Sequence, residues 1–548
     1  MIGALDSVTL VVLIYHYPEA IMSAIIKETI KGHVYLYESE SYRDEKGQPR
    51  SKRILIGKID PETGAPTYKQ EYIERMDAEG KTIDDGQYEK RYSKNDVKHS
   101  RIKELGASYL YTKIAERIGL LEVLRESLPD YWQQIFTLAC FLVSNDDPMM
   151  YCADWVEKTD GLPQTAVSAS SVSRLFQEIT LSDRNSFFVA WNEILKEKEY
   201  MALDITSIST YSEFIKDAEW GHNRDNESLP QINLCLLMGE QSRLPVYHAV
   251  YSGSLTDVST LKTTLESAAS LSLSKITAVM DKGFYKATNV NDMMSDQSGI
   301  RFLMAVPFSN DFAKKLVVGA RQSIDLVENN INVGDDSVLG VAKEQPWGGV
   351  RTVNAHIFYN VVQAAIAKRE LYSQVSSLAQ LAKAEPKSRL HRQSFKKYLD
   401  IKNPGGAEYS IQIRQDVVDE ELANKGWLVT ISNNIKDAAE AIRIYRAKDV
   451  VEKGFYRLKN SLELGRLRVH SDEAMQNKIF VGFIALILMS HIHSVMLDQD
   501  LYLKMTMKKL ILIMEKIRVV YIKDDRILMP VTKEQSDILR AFKLPPVL

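Results

Sequence analysis

Hydrophobic positions along the chain change their period several times, and each change marks an element. Near the N-terminus, "HVYLYESESYRDEKGQPRSKRILIGKID" sets aromatic and β-branched runs around a polar turn with Gly47 and Pro49, which predicts strands between residues 30 and 60. Residues 61 to 100 are polar and charged, with "PETG" and "DDG" turns, and read as a linker. Apolar residues then return at helical spacing, as in "SYLYTKIAERIGLLEVLRESL", so residues 101 to 198 are expected to be helical. Within them "SASSVSRLFQEI" sets serine caps before a short amphipathic helix. A plain bundle helix is its first reading, and the second helix of a helix-turn-helix its alternative.

The texture changes at Tyr200. "YMALDITSIST", "QINLCLLMG" and "LPVYHAVYSG" read as three strands in meander, followed by a helix from about Val258 to Ser272. "KITAVMD" and "RFLMAVP" add two buried strands, and the set makes a mixed α/β sheet. From about Phe308 to Lys425 the pattern shifts to hairpins, a helix from Asn360 to about Ala384, a basic stretch "KSRLHRQSFKKYLD" and strands in "YSIQIRQ" and "GWLVTIS". Helices resume at Ile435 and run to about Leu497. The C-terminal residues read as a basic helix with a strand-like tail.

One helix in this region has an odd wheel. In "YRAKDVVEKGFYRLKN", each residue advances ~100°, which puts Tyr445, Lys448, Glu452 and Lys459 within an arc of roughly 60°. Val451, Phe455, Leu458 and Leu462 form an apolar stripe directly beside that arc. A solvated face usually lies opposite the buried one. Taken alone, the arc reads as a charge ladder on an ordinary amphipathic helix.

Composition narrows the class without naming it. A chain of 548 residues predicts about three or four domains, and its 45% hydrophobic and 26% charged content is that of an ordinary globular protein. A formal charge of -3 supplies no global attraction to a polyanion, so any such binding rests on local clusters. Cys140, Cys152 and Cys235 are scattered, which excludes a cysteine zinc site or disulfide framework and suits a reducing compartment. The apolar run Val8 to Tyr15 lacks the flanks of a signal peptide, and Met22 is a candidate start that would make residues 1 to 21 an upstream extension. The run Ile479 to Met489 is short for a bilayer and reads as a buried core helix, so no membrane partner is expected.

The chemistry lies in three carboxylates. Asp204 sits inside a hydrophobic strand, where propensity and burial both disfavour aspartate. Asp281 ends another such strand, in "TAVMDKGF", where closing a turn is its ordinary use. Glu452 sits on a helix that could pack on the same sheet. Three carboxylates held together repel one another unless cations bind between them. Mg²⁺ needs only one or two carboxylates, with waters and phosphate oxygens completing its shell. Two such ions ~3.5–4 Å apart suit in-line phosphoryl displacement. Lys459, Tyr445 and Lys448 then become phosphate contacts, which position DNA without reading it.

With those residues in view, the sequence resembles the DDE transposases of bacterial and archaeal insertion sequences, in the group with the signature Y-x2-R-x3-E-x6-K. Here the signature reads Tyr445, Lys448, Glu452, Lys459, and Asp204 and Asp281 fall where that family has its two aspartates. "LPQINLCLLM", "SGSLTDVSTL", "DKGF", "LRVHSDEAMQNKIFVGFIALIL" and the N-terminal strand region match too. Lys448 replaces the signature arginine, keeping the charge without the bidentate fork, and Ser254 stands where asparagine is usual.

The resemblance implies an RNase H-like mixed-sheet catalytic core interrupted by an inserted α+β domain, within a multidomain α/β chain. It implies two Mg²⁺ ions, with Mn²⁺ as a substitute, held by Asp204, Asp281 and Glu452. It implies cleavage at the element's terminal inverted repeats and strand transfer into target DNA by a homodimer, with a hairpin intermediate and cleavage in trans among relatives. It also implies an insertion-domain tryptophan that stacks on a flipped base, for which Trp347 in "QPWGGV" is the candidate and Trp427 reads as core. Such an enzyme works in the cytoplasm on the nucleoid.

Basic clusters answer the charge problem. They comprise residues 383 to 397; Arg443, Arg446, Arg457, Arg466 and Arg468 near the signature; and Lys504 to Arg518. The expected organisation is a strand-rich region with linker (1–100), a helical DNA-end-binding domain (101–198), the first core part (199–307), an insertion (308–425), the second core part with the catalytic helix (426–498) and a basic C-terminal region (499–548). A metal-dependent nuclease without strand transfer and a domesticated DNA-binding relative are the alternatives.

Overall fold

A computed structural model describes residues 23–43, 48–61, 66–78, 97–195, 200–221, 223, 227–255, 261, 263–265, 267, 277–295, 300–334, 336–349, 351–387, 392–403, 409–462 and 465–547. The chain divides into two compact units, residues 1–102 with 519–528, and residues 103–518 with 529–548. The expected upstream extension, most of the "DDG" linker and much of the helix expected over 258–272 lie outside the described residues.

The first unit contains an antiparallel meander of β1 (Ser23–Ile30), β2 (His33–Arg43), β3 (Pro49–Ile59) and β4 (Pro66–Tyr68). Lys31 and Gly32 close the first hairpin with positive φ of 50° and 86°, the backbone twist that a two-residue turn needs. Helix α1 (Gln70–Ala78) forms inside the stretch read as linker. It does so because Tyr72 and Met76, four residues apart, bury against Leu36 and Ile56.

The second unit opens with helices α2 (Gly106–Arg117), α3 (Leu120–Ser127), α4 (Trp132–Ser144), α5 (Cys152–Lys158), α6 (Ala169–Glu178) and α7 (Leu181–Leu195). Ser168 caps α6 by accepting the Ser171 N–H, as the serine run predicts. The three cysteines are buried and free.

The sheet that follows contains β5 (Tyr200–Ser209), β6 (Gln231–Gly239), β7 (Pro245–Ser252), β8 (Thr277–Met280), β9 (Arg301–Ala305), β10 (Asn330–Val333), β11 (Asp336–Trp347), β12 (Arg351–Tyr359) and β15 (Trp427–Ser432). Its spatial order is β10-β11-β12-β15-β9-β8-β5-β6-β7. The pairs β5–β8 and β8–β9 are parallel, and the others are antiparallel. Helices α8 (Ala287–Met293) and α9 (Asp311–Ala320) cover one face, burying Val290 and Val317 with Leu203, Met280 and Ile431. The opposite face meets α13 (Ala438–Ala447), whose Ala441, Ile442 and Ile444 pack on Val279 and Leu303.

The segment expected as a separate insertion divides. Strands β10 to β12 extend the central sheet, because Val353, Ala355 and Ile357 alternate onto the face that Ile431 also lines. Only α10 (Val361–Ala384), α11 (Arg392–Tyr398), β13 (Leu399–Lys402), β14 (Ser410–Ile413) and α12 (Gln415–Leu422) form their own core, around Leu371, Val375, Phe395, Tyr398 and Val418.

After α14 (Asp449–Tyr456), helix α15 (Asp472–Asp498) runs through the unit. It is long and apolar enough to cross a membrane, but 78% of its most apolar window is buried inside the protein, so it is the core helix. Its one deeply buried asparagine has a clear use. Asn477 Nδ2 donates to Phe176 O and Ile179 O at the end of α6 (3.0 and 2.8 Å), and its Oδ1 accepts from buried Arg184 on α7. The chain ends with α16 (Met507–Met514), a hairpin of Arg518–Ile522 with Asp525–Leu528, and α17 (Lys533–Ala541), which starts in a Thr532–Gln535 capping box.

Candidate active site

Strand register sets the two aspartates side by side. Strands β5 and β8 run parallel, and their last paired residues are Leu203 and Met280. The next residue on each is Asp204 and Asp281. Parallel neighbours lie ~4.8 Å apart, so the two carboxylates leave adjacent backbones. Leu203 and Met280 face the α8–α9 core, so alternation turns both aspartates to the opposite face, where α13 lies. Asp204 Oδ1 accepts the Ile205 N–H at 2.8 Å. Asp281 caps a single 3₁₀ turn over Lys282–Phe284, its Oδ1 accepting the Lys282 N–H at 2.7 Å.

The signature helix is not one continuous helix. It breaks at Lys448, between α13 and α14, and widens into a π-turn over Arg457–Ser461, where the Leu462 N–H reaches back to Arg457 O at 2.9 Å. The apolar stripe survives: Val451, Phe455, Leu458 and Leu462 are all buried. Gly454 lets α14 approach the sheet closely. A Cβ there would stand 3.1 Å from Leu236 Cδ2, and Leu236 is the residue paired with Asp204 across β5 and β6. The helix therefore packs directly beside Asp204 and carries Glu452 on the same side of the sheet.

A cleft of about 380 Å³ opens here, with Asp281, Tyr445, Arg446, Lys448, Asp449 and Glu452 on its polar side and Val338, Phe358, Leu428 and Ile442 on its apolar side. The Tyr445 hydroxyl donates to Asp281 Oδ1 at 2.9 Å. Lys448 Nζ donates to Glu452 Oε1 at 2.6 Å, with the lysine side chain 7% exposed and the glutamate 56%. Burial, then the charges of Asp281, Glu452 and Asp204, push the Tyr445 phenol well above its ordinary range. Burial pulls the Lys448 ammonium down, but the Glu452 hydrogen bond and the charges of Asp281, Glu452 and Asp204 outweigh it, and its pKa is raised. All three carboxylates thus act on the same two side chains.

The donor set is oxygen only, which fits a hard cation such as Mg²⁺. Among the described residues no three acidic, histidine or cysteine side chains stand together as a group that could hold a metal ion.

A family model described as "Transposase DDE domain" matches residues 196–488, a span holding Asp204, Asp281 and Glu452. The chain belongs to the DDE transposase family. Comparison with curated proteins finds no match. Among solved structures, a piggyBac transposase synaptic complex with hairpin DNA is similar at 10% identity, over 76% of this chain and 74% of that one, with a TM-score of 0.33. That likeness is too slight to fix residue roles.

In this transposase the residues read as DNA contacts separate. Tyr445 and Lys448 join the carboxylates, and Arg446 lines the cleft while bonded to Asp336 at 2.9 Å. Lys459, in the π-turn, lies outside the cleft lining. Arg443 pairs with Glu240 at 3.3 Å. Arg457, expected as a DNA contact, is only 8% exposed. Trp347 is partly buried; its Nε1 donates to Asn291 Oδ1 at 2.8 Å and its ring meets Phe312 edge-on. Trp427 packs against Tyr359 in a tilted ring pair with centroids 4.6 Å apart. Sequence reading missed Gly454 and Asp336. Nothing local marks either: the first matters through Leu236, the second through Arg446.

Proposed function

We propose that this protein is a cut-and-paste DNA transposase with an RNase H-like core, and that Asp204, Asp281 and Glu452 hold two Mg²⁺ ions at its catalytic centre. The observation that carries the reading is the parallel β5–β8 register, which sets Asp204 beside Asp281 on the face where Glu452 arrives. When bound, the ions would activate the attacking oxygen and stabilise the leaving one.

The chain's own residues perform the rest. Tyr445 fixes one oxygen of Asp281 and leaves the other free to turn toward the cleft. The apolar wall of Val338, Phe358 and Leu428 limits water beside the reacting phosphate. Water attacks phosphorus at the element end, the bond to O3′ breaks, and a 3′-hydroxyl is left. That hydroxyl then attacks a target phosphorus, displacing a target 3′ oxygen, so the number of phosphodiester bonds is conserved in the joining step. Lys459 and the basic stretch of residues 383 to 397 supply cations for the backbone of the terminal inverted repeats and target duplex. The working form is a homodimer on DNA at the nucleoid.

The test incubates purified protein and Mg²⁺ with labelled DNA from the flanks of its gene. Cleaved ends plus products joined to target DNA are expected. Cleavage without joining would favour a nuclease of the same family, and full cleavage by Glu452→Gln would sink the metal-site reading.

A further inference from the structure

The carboxylates of this site already have a cation. Lys448 lies at the break between α13 and α14, its side chain almost wholly buried, and its ammonium is bonded to Glu452 Oε1 at 2.6 Å. A lone buried ammonium is strongly disfavoured unless anions surround it. Here Glu452 is bonded to it directly, the charges of Asp281 and Asp204 also favour it, and the Tyr445 ring centroid stands 5.9 Å from Nζ. Without that charge, three carboxylates on one face of the sheet would repel one another.

We propose that Lys448 is an internal counter-ion: its ammonium holds the carboxylate cluster together before divalent cations bind, and those cations enter by displacing it from Glu452. This rests on the cation-site reading above. It adds an ordering to it, since a lysine can leave. Its flexible four-carbon stem lets the ammonium swing out, whereas a coordinated ion stays with the oxygens. The displaced charge would then be free in the cleft, where a phosphate would lie. Lys448 is therefore a positioning residue for the acidic cluster, and its effect should be visible without DNA and without turnover.

The experiment is Mn²⁺ binding to the full chain by titration calorimetry, with thermal melting of the same samples, for wild type, Lys448→Met and Lys448→Gln. Removing the ammonium removes its repulsion of an incoming dication, so both variants should bind Mn²⁺ roughly tenfold more tightly or better. Their metal-free melting temperature should fall below wild type, and saturating Mn²⁺ should restore most of the loss. The glutamine variant keeps a polar group at the position should the methionine variant fail to fold, and circular dichroism checks both. Mn²⁺ affinity that is unchanged or weaker in a folded variant would overturn the counter-ion role while leaving the cation site standing. Mn²⁺ binding to none of the three proteins would overturn both. If Lys448 acts through Glu452, adding Glu452→Gln to Lys448→Met should abolish the tightening.

Discussion

The phenol of Tyr445 donates to Asp281 Oδ1 at 2.9 Å, tying the last turn of α13 to the residue that follows β8. A hydrogen bond to a charged group contributes about 1.5–3 kcal/mol. Its main consequence here is orientation, because the accepting oxygen belongs to a candidate cation ligand. Tyr445→Phe keeps the ring and removes the tie. Cleavage should slow by about 10- to 100-fold with the fold retained, measured by single-turnover kinetics beside a melting curve.

Neutral isosteres at the three carboxylates should act alike. Asp204→Asn, Asp281→Asn and Glu452→Gln each keep their shape and lose the charge that a divalent cation needs. Each should lower DNA cleavage by about 10³-fold or more while circular dichroism stays that of the parent. Substantial cleavage by any one of them would remove that residue from the site.

Gly454→Ala probes how closely α14 approaches the sheet. Alanine favours a helix interior by about 1 kcal/mol over glycine. Against that, its Cβ would lie 3.1 Å from Leu236 Cδ2, so helix or leucine must yield by a few tenths of an ångström. Stability should stay within about 1 kcal/mol of the parent, while cleavage falls several-fold as Glu452 shifts relative to Asp204. Leu236→Val in the same chain should recover activity by making room.

Asn477 is expected to hold the helical region to the core helix. Asn477→Ala leaves the Phe176 and Ile179 carbonyls without that donor and removes an acceptor from buried Arg184. The cost should be about 3 kcal/mol, read from chemical denaturation. No group of the cleft is touched, so cleavage at low temperature should persist.

One buried histidine should withdraw stability in mild acid. His248 is buried against Phe188 and Phe483, and burial, followed by the nearby Arg184 charge, lowers its pKa from 6.5 to about 3. The unfolded chain therefore takes up a proton near pH 6.5 that the folded one refuses. The contribution is complete above pH 6.5 and is lost as the pH falls toward 3, reaching about 2 kcal/mol by pH 5. Glu515, which burial and then Glu104 raise to about 7, works in the opposite direction over much of that window. Comparing denaturation at pH 7 and pH 5 in His248→Phe and the parent cancels Glu515, and the variant should lose less on acidification.

What could be read from the sequence followed from locality. The strands around Asp204 and Asp281 show as apolar runs; Asp204 stands out because its neighbours disfavour it, whereas Asp281 alone reads as an ordinary turn closer. Their adjacency could not be read, since it depends on the pairing of Leu203 with Met280, far apart in the chain. The hairpins over residues 330 to 359 were visible, but their partner strand, Trp427–Ser432, is distant in sequence, so their membership of the central sheet was hidden. The break at Lys448 and the π-turn at Arg457–Ser461 lack any glycine or proline signal, and a uniform 3.6-residue wheel ran through both. Helix α1 buries little beyond Tyr72 and Met76, too sparse a stripe to stand out in a polar stretch.

Strands β12 and β15 are antiparallel neighbours whose last pair is Tyr359 with Trp427, and just beyond it the Asn360 N–H donates to Gly426 O at 2.8 Å. In topological terms, everything from residue 361 to 425 is the loop of one β-hairpin. Its ends are already closed by the sheet, and the entropy of closing a loop grows only slowly with its length. A folded subdomain can therefore be lengthened, exchanged or shortened at this point without altering the register that aligns Asp204 with Asp281. The frame around Asp204 and Asp281 and this excursion are thus joined along the chain only at the Asn360–Gly426 pair.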